Sequence, residues 1–300
     1  MAEEKFHSGF VALVGRPNVG KSTLMNAVLG EKVSIVSAHA QTTRNKITGV
    51  WNGKNSQVVF LDTPGMHKPQ SKLGQVIRQS TVDALDEVDV IVFICACDDP
   101  LGAGDRYILS LLKDKKVPVV LVLSKIDLIK KDMLLKKIGQ YSRIHPFSEI
   151  IPLSARSGEN LKEFTTVLER YLPEGPKYFP DDMVTDQPER LIVAELVREK
   201  VLALTRDEIP HAVAVDIEEM TARPKGDVYI RAVIYVERES QKGIVIGAHG
   251  ALLRTIGQQA RTDVETLLGA KVYLDLWVKT RKDWRNRANA LREFGFYETD

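Results

Sequence analysis

Gly15-Arg16-Pro17-Asn18-Val19-Gly20-Lys21-Ser22 decides how this 300-residue chain is read. The octapeptide follows a β-branched run at 10–14 and opens a stretch of helical spacing at 21–29. A Gly-x-x-x-x-Gly-Lys-Ser loop between a strand and a helix is the setting in which this pattern binds phosphate. Glycines let backbone N–H groups turn inward around phosphates, at the positive end of the helix that follows. Lys21 is then expected to neutralise the β- and γ-phosphates and Ser22 to hold Mg²⁺.

Working outward, further apolar runs occupy 57–61, 89–95, 117–123 and 149–153, separated by segments of helical character. Near-continuous apolar strands alternating with helices predict an α/β domain with a mostly parallel sheet covered on both faces. In such sheets ligands bind beyond the carboxyl ends of the strands. Polar motifs begin where these runs stop. Asp62-Thr63-Pro64-Gly65 offers a carboxylate for Mg²⁺ and a Gly65 N–H facing the γ-phosphate. Ser124-Lys125-Ile126-Asp127 offers a carboxylate that can accept two hydrogen bonds from the guanine edge, which adenine cannot supply, with the Lys125 stem over the base. Ser154-Ala155-Arg156 is expected to supply a backbone N–H to guanine O6.

The background is that of an ordinary globular chain, 44% hydrophobic and 27% charged, with a net charge of +2. Cys95 and Cys97 lie one residue apart on an apolar run, read as buried hydrophobes in a reducing, cytoplasmic compartment. The first nine residues lack the apolar core of a secretory signal. The longest apolar runs are too short to span a bilayer.

Residues 173–188 hold four prolines and four acidic residues and read as a linker, extended and tethered. The expected division is 1–174, linker 175–188, and a smaller α+β domain at 189–300. That second region reads as helix 189–204, strands 211–220 and 227–237, a short helix ending near Ile246, a Gly247-Ala248-His249-Gly250 turn, a helix to about Leu268 and a strand at 271–278. A Gly-x-x-Gly turn between helices lets backbone N–H groups approach a nucleic-acid backbone. Residues 189–300 hold as many acids as bases, so the domain has no strong overall field. Bases cluster instead at Lys242, Arg254 and Arg261 and along Lys279-Thr280-Arg281-Lys282-Asp283-Trp284-Arg285-Asn286-Arg287. Trp284 is open to two readings, a base-stacking platform or a packed core residue.

Together these segments resemble the G-motifs of the Era family of GTPases, and 243–257 resembles a type II KH domain. The likeness covers essentially the whole chain. It places Gln41-Thr42-Thr43-Arg44 in the first switch, with Thr43, ahead of Thr42, completing the Mg²⁺ shell. It implies a GTP/GDP switch that binds the 3′ region of 16S rRNA and assists assembly of the small (30S) subunit. It also implies a monomer in the cytoplasm, with peripheral association with the inner face of the cell membrane. The implied RNA-contacting set is Lys242, Gly243, Ile244, Gly247, Ala248, His249, Gly250, Arg254, Lys279, Arg281 and Lys282. Two positions depart from the usual pattern. Ser124 stands where Asn is common, so base affinity is expected to fall. Met66 stands where many related GTPases carry Gln, and a thioether cannot orient water. The expectation is slow intrinsic hydrolysis with Lys21, Asn18, Thr43 and Gly65 as the catalytic set, Asn18 bridging K⁺ to the phosphates. Arg16 and Arg44 read as solvated loop arginines rather than arginine fingers. Two alternatives stay open here: an RNA-binding protein that senses guanine nucleotide without hydrolysis, and a P-loop ATPase or kinase.

Overall fold

A computed structural model describes residues 5–37, 42–44, 46–65, 71–207, 209–224 and 226–296. Gln41, Met66 and Lys225 lie outside them. The chain divides into two compact units. The first comprises Met1–Ser34, Thr43–Lys68 and Ile77–Asp186, and the second Ile35–Thr42, Pro69–Val76 and Gln187–Asp300.

The first unit contains β1 (His7–Gly15), α1 (Lys21–Leu29), β2 (Ile47–Asn52) and β3 (Ser56–Asp62). Helix α2 (Lys72–Ala84) follows, beginning on residues grouped with the second unit, and then come β4 (Val90–Ala96), α3 (Ala103–Leu112) and β5 (Val119–Ser124). The unit ends with α4 (Lys131–Tyr141), β6 (Glu149–Pro152) and α5 (Leu161–Tyr171). Its sheet runs in the order β2-β3-β1-β4-β5-β6. Every neighbouring pair is parallel except β2 with β3. One face packs Val11, Leu13, Val92 and Val122 with Leu24, Phe164 and Leu168 of the helices. The other packs Ala12, Phe93, Cys95 and Leu121 with Ile108, Leu112 and Tyr141. With both faces covered, the apolar runs are continuous rather than alternating.

Strand β2 has no counterpart in the sequence reading. Ile47-Thr48-Gly49-Val50-Trp51-Asn52 mixes polar and small residues and pairs at the sheet edge, where no continuous apolar run is required. The proline-rich segment covers part of that edge. Val50 N–H donates to the Val184 carbonyl (2.7 Å), Thr185 Oγ1 donates to Thr48 (2.6 Å), and Gln57 bonds Tyr178 and Phe179. An edge strand left bare would present unpaired backbone groups.

The second unit contains α6 (Glu189–Leu204), α7 (Ile209–Ala212), β7 (Ala214–Ala222), β8 (Val228–Val236), α8 (Glu239–Ile246), α9 (Ala251–Leu268), β9 (Val272–Thr280) and α10 (Ala288–Glu293). Strand β7 pairs antiparallel with β8, and β8 parallel with β9. Val193 and Val197 of α6 and Ile256, Ala260 and Val264 of α9 pack on Ile230, Ala232 and Ile234. The expected strand at 211 begins later, at Ala214, because Ile209-Pro210-His211-Ala212 closes a helical turn first.

Candidate nucleotide site and KH groove

Four side-chain oxygens from separate segments meet at the carboxyl ends of β1 and β3. Ser22 Oγ, at the start of α1, donates to Asp62 Oδ2 (2.7 Å) and lies 3.0 Å from Thr43 Oγ1. Thr43 Oγ1 is 3.4 Å and Ser34 Oγ 2.9 Å from the same Asp62 oxygen. Asp62 is fully buried, and among the described residues its Oδ1 has no hydrogen-bond partner. A buried carboxylate oxygen left in this state, beside three hydroxyls, fits a hard dication that takes oxygen ligands. Thr42 Oγ1 instead donates to Ser37 (3.5 Å), so it is Thr43 that stands with Ser22 and Asp62. Ser34 was not anticipated: nothing in its local sequence marks it, and its place is set by Asn26, whose Oδ1 accepts from the Val33 and Ser34 N–H groups.

Lys21 is buried in the same unit, its ammonium donating to the carbonyls of Gly15 (3.2 Å) and Arg16 (2.9 Å). Burial pushes it down to about 8, against the opposing pull of Asp62. Burial likewise raises the Asp62 carboxyl above its ordinary value, while Lys21 and the Ser22, Ser34 and Thr43 hydroxyls pull it back. An anion beside Lys21 and a cation beside Asp62 would each restore the charged form.

The neighbouring motifs brace the loop. A Cβ on Gly65 would stand 2.8 Å from Pro17 Cα, so only glycine fits against this turn of the phosphate loop. Thr63 Oγ1 donates to the Leu13 carbonyl (2.7 Å), fixing the strand end before Pro64. Ser124 is buried and donates to the Val19 carbonyl (2.6 Å), so the short side chain serves the loop even where Asn is usual. Asn18 holds left-handed backbone (φ 63) at an exposed position, with Val19 buried beneath it. Lys125 is also left-handed (φ 59) and pairs with Asp98 at 3.3 Å, and Asp127 is exposed on the next turn. Buried Ser154 closes its own turn by accepting the Ser157 N–H (3.2 Å), and Ala155 between them is half-buried against the core.

Two expectations about arginines are corrected. Arg16 is not a solvated side chain: its Nε donates to Asp105 Oδ1 at 2.9 Å. Arg44 is buried, 4% exposed.

In the second unit a groove of about 390 Å³ runs between α9 and the edge strand β9, lined among others by Gly250, Arg254, Arg261, Tyr273 and Leu276. Gly247, Ala248 and His249 form the turn that leads into it, and Gly243 and Ile244 are exposed on α8 with Lys242 half-buried beside them. Not all the expected bases join the groove. Lys279 pairs with Glu218 at 2.6 Å and Arg281 with Glu293 at 2.5 Å, and neither lines it. Lys282 is exposed in the segment after β9. Trp284 is fully buried, donating from Nε1 to the Ala212 carbonyl (2.8 Å) and meeting Phe294 edge-on. It is a core residue and not a base platform.

Comparison with known proteins agrees with both halves. Residues 10–125 match the family described as 50S ribosome-binding GTPases, and 208–285 match the KH domain. Site and fold thus define a P-loop GTPase joined to a KH module. Over 298 residues the chain is 52% identical to GTPase Era of Staphylococcus haemolyticus, covering 99% of each. A crystal structure of Era in complex with MgGDPNP and nucleotides 1506–1542 of 16S ribosomal RNA superposes with TM-score 0.95 at 43% identity, over 98% of this chain and 100% of that one. A point variant of Aquifex aeolicus Era bound to GDP and AlF4⁻ gives 0.94 at 42% identity, over the same shares. The chain belongs to the Era family of GTPases. Among the described residues no helix is long and apolar enough to cross a membrane.

Proposed function

We propose that this chain is a nucleotide-controlled RNA-binding switch that binds GTP with Mg²⁺, hydrolyses it slowly, and engages the 3′ region of 16S rRNA through the groove beside Gly250 during assembly of the 30S subunit. The observation that carries the nucleotide half is the meeting of Ser22, Thr43 and Asp62 oxygens beside buried Lys21. Those three residues would hold Mg²⁺, which neutralises phosphate charge as the terminal bond breaks. Lys21 binds the phosphate oxygens, the Gly65 N–H faces the γ-phosphate, and Asp127 reads the guanine edge from its exposed turn. Asn18, exposed on the phosphate loop, is the proposed K⁺ ligand in place of a water-orienting glutamine.

Support for the RNA half comes from the groove and from the solved Era complex with MgGDPNP and 16S nucleotides, a protein 43% identical to this chain. The test measures affinity for GTP and ATP, and single-turnover hydrolysis, with and without a 16S 3′-end oligonucleotide, in K⁺ and in Na⁺. Expected are preference for GTP, faster turnover in K⁺ that Asn18→Ala abolishes, and loss of oligonucleotide binding in Gly250→Asp with nucleotide binding intact. Among the described residues no atom lies within 4 Å of where a Gly250 Cβ would stand, but the left-handed backbone there (φ 75) disfavours a side chain, so the variant's melting temperature is measured beside its RNA affinity. Equal affinity for ATP would overturn the guanine assignment. Equal turnover in both cations would remove K⁺, and undiminished RNA affinity in Gly250→Asp would remove the groove.

A further inference from the structure

Arg16 sits inside the phosphate loop, yet its side chain is turned away from the site. Its Nε donates to Asp105 Oδ1 (2.9 Å), and its Nη2 reaches the Pro100 carbonyl (3.3 Å) and Asp99 (3.4 Å). Asp105 is 0% exposed, an environment in which a carboxylate persists only when its charge and lone pairs are matched. Its other oxygen accepts the Gly102 N–H (2.8 Å), capping α3, and the Cys95 thiol donates to Oδ1 (3.8 Å). The approach is close enough that a Cβ on Gly104 would stand 2.8 Å from Arg16 Cδ. Arg16 is joined to the chemistry through its backbone: its carbonyl accepts from the Lys21 ammonium. A connected path therefore runs from the amino end of α3 through Asp105 and the Arg16 side chain to the carbonyl that orients Lys21.

We propose that Asp105 and Arg16 form a positioning pair that fixes the first turn of the phosphate loop against α3, Asp105 acting on nucleotide through Arg16 without touching it. The proposal rests on the nucleotide-site reading above. It assigns a role to a carboxylate outside every nucleotide-binding motif of the sequence, and it excludes Arg16 as a group that reaches the transferred phosphate.

The experiment compares wild type, Arg16→Ala, Arg16→Lys, Asp105→Asn and the Arg16→Ala/Asp105→Asn double variant, measuring fluorescent-GDP affinity and KM and kcat for GTP. Each single loss should weaken GDP binding about tenfold, or about 1.4 kcal/mol, and raise KM for GTP by more than it lowers kcat. The double variant should be no weaker than the poorer single variant, because both act through one contact. Arg16→Lys should recover part of the loss. Arg16→Ala strands a buried charge and could melt early; the double variant carries no such charge and keeps the test in force. Losses that multiply to about a hundredfold in the double variant would place Arg16 on the nucleotide itself and overturn the pair. Unchanged GDP affinity in both single variants would overturn it as well. Failure of the wild-type protein to bind guanine nucleotide would instead remove the site reading, and the pair with it.

Discussion

Replacing Trp284 tests the second unit where sequence alone left two readings open. The indole is fully buried, edge-on to Phe294 with centroids 5.2 Å apart, stacked over Phe296 at 6.1 Å, and bonded through Nε1 to the Ala212 carbonyl. A buried tryptophan removes about 200 Å² from water, which at about 25 cal/mol per Å² represents about 5 kcal/mol. Denatured chains already bury some of that area, and large-to-small core substitutions at aromatic sites cost about 4 kcal/mol in practice. At about 4 °C per kcal/mol for a domain of this size, Trp284→Ala should lower the melting temperature of the second unit by about 15 °C. Trp284→Phe keeps most of the ring and removes the donor to Ala212, so it should cost about 1–2 kcal/mol. Differential scanning calorimetry with saturating nucleotide, which raises the transition of the unit that binds it, separates the two units. RNA affinity is then measured at a temperature where Trp284→Phe remains folded. It should match wild type. A tenfold loss of RNA affinity in Trp284→Phe with an unchanged melting temperature would refute the reasoning and make the indole a base-stacking platform.

Ser34→Ala removes the buried hydroxyl that donates to Asp62 Oδ2; the Mg²⁺ concentration that half-saturates GTP hydrolysis should rise about fivefold, the equivalent of one hydrogen bond of about 1 kcal/mol, and a titration showing no change would strip Ser34 of that role. Lys21→Met addresses pH in protein free of nucleotide and metal. Burial holds the Lys21 ammonium at about 8 against an ordinary 10.5, so the unfolded chain binds the extra proton between those values. The resulting penalty is full below pH 8 and fades as pH rises toward 10.5. The melting temperature of wild type should therefore gain on that of Lys21→Met between pH 7 and 10, and parallel curves would show that the burial costs nothing.

Much of the nucleotide site is legible in the sequence because each of its parts is tied to a strand end. Gly15–Ser22, Asp62–Gly65 and Ser124–Asp127 all stop an apolar run, and a parallel sheet brings such ends to one edge whatever the loops between them do. Ser34 and Asp105 are invisible by the same criterion. Ser34 reaches Asp62 because Asn26 of α1 binds two successive backbone N–H groups, and Asp105 reaches Arg16 because β4 lies beside β1 in the sheet. Both are long-range consequences of the fold. The partners of the basic tail are hidden for a related reason. A run of lysines and arginines suggests an RNA surface, but Lys279 and Arg281 each meet a carboxylate supplied by a distant element, Glu218 and Glu293. Charge density along a sequence does not reveal where counter-charges fold back.

The phosphate loop gains its shape from three contacts that do not involve phosphate. Arg16 is held to α3 by Asp105, Val19 is held by Ser124 at the end of β5, and Pro17 is crowded by Gly65 at the end of β3. A loop fixed from three directions gives up little conformational freedom when nucleotide arrives, so more of the contact energy remains as affinity. The metal site is arranged oppositely. The Ser22 and Ser34 hydroxyls both donate to one oxygen of Asp62, the second oxygen has no partner among the described residues, and Thr43 leans on the same cluster. Mg²⁺ must replace the Ser22 and Thr43 contacts while the Ser34 hydroxyl stays on the carboxylate, and it does so at a carboxyl group that burial raises above its ordinary value. Phosphate oxygens beside Lys21 would lower that barrier by supplying further ligands and negative charge. Metal and triphosphate are therefore expected to bind as one unit, each weakly without the other. Diphosphate, lacking the γ-oxygens, would leave Thr43 with the least reason to stay, which is how loss of a single phosphoryl group could be felt by the segment leading into β2.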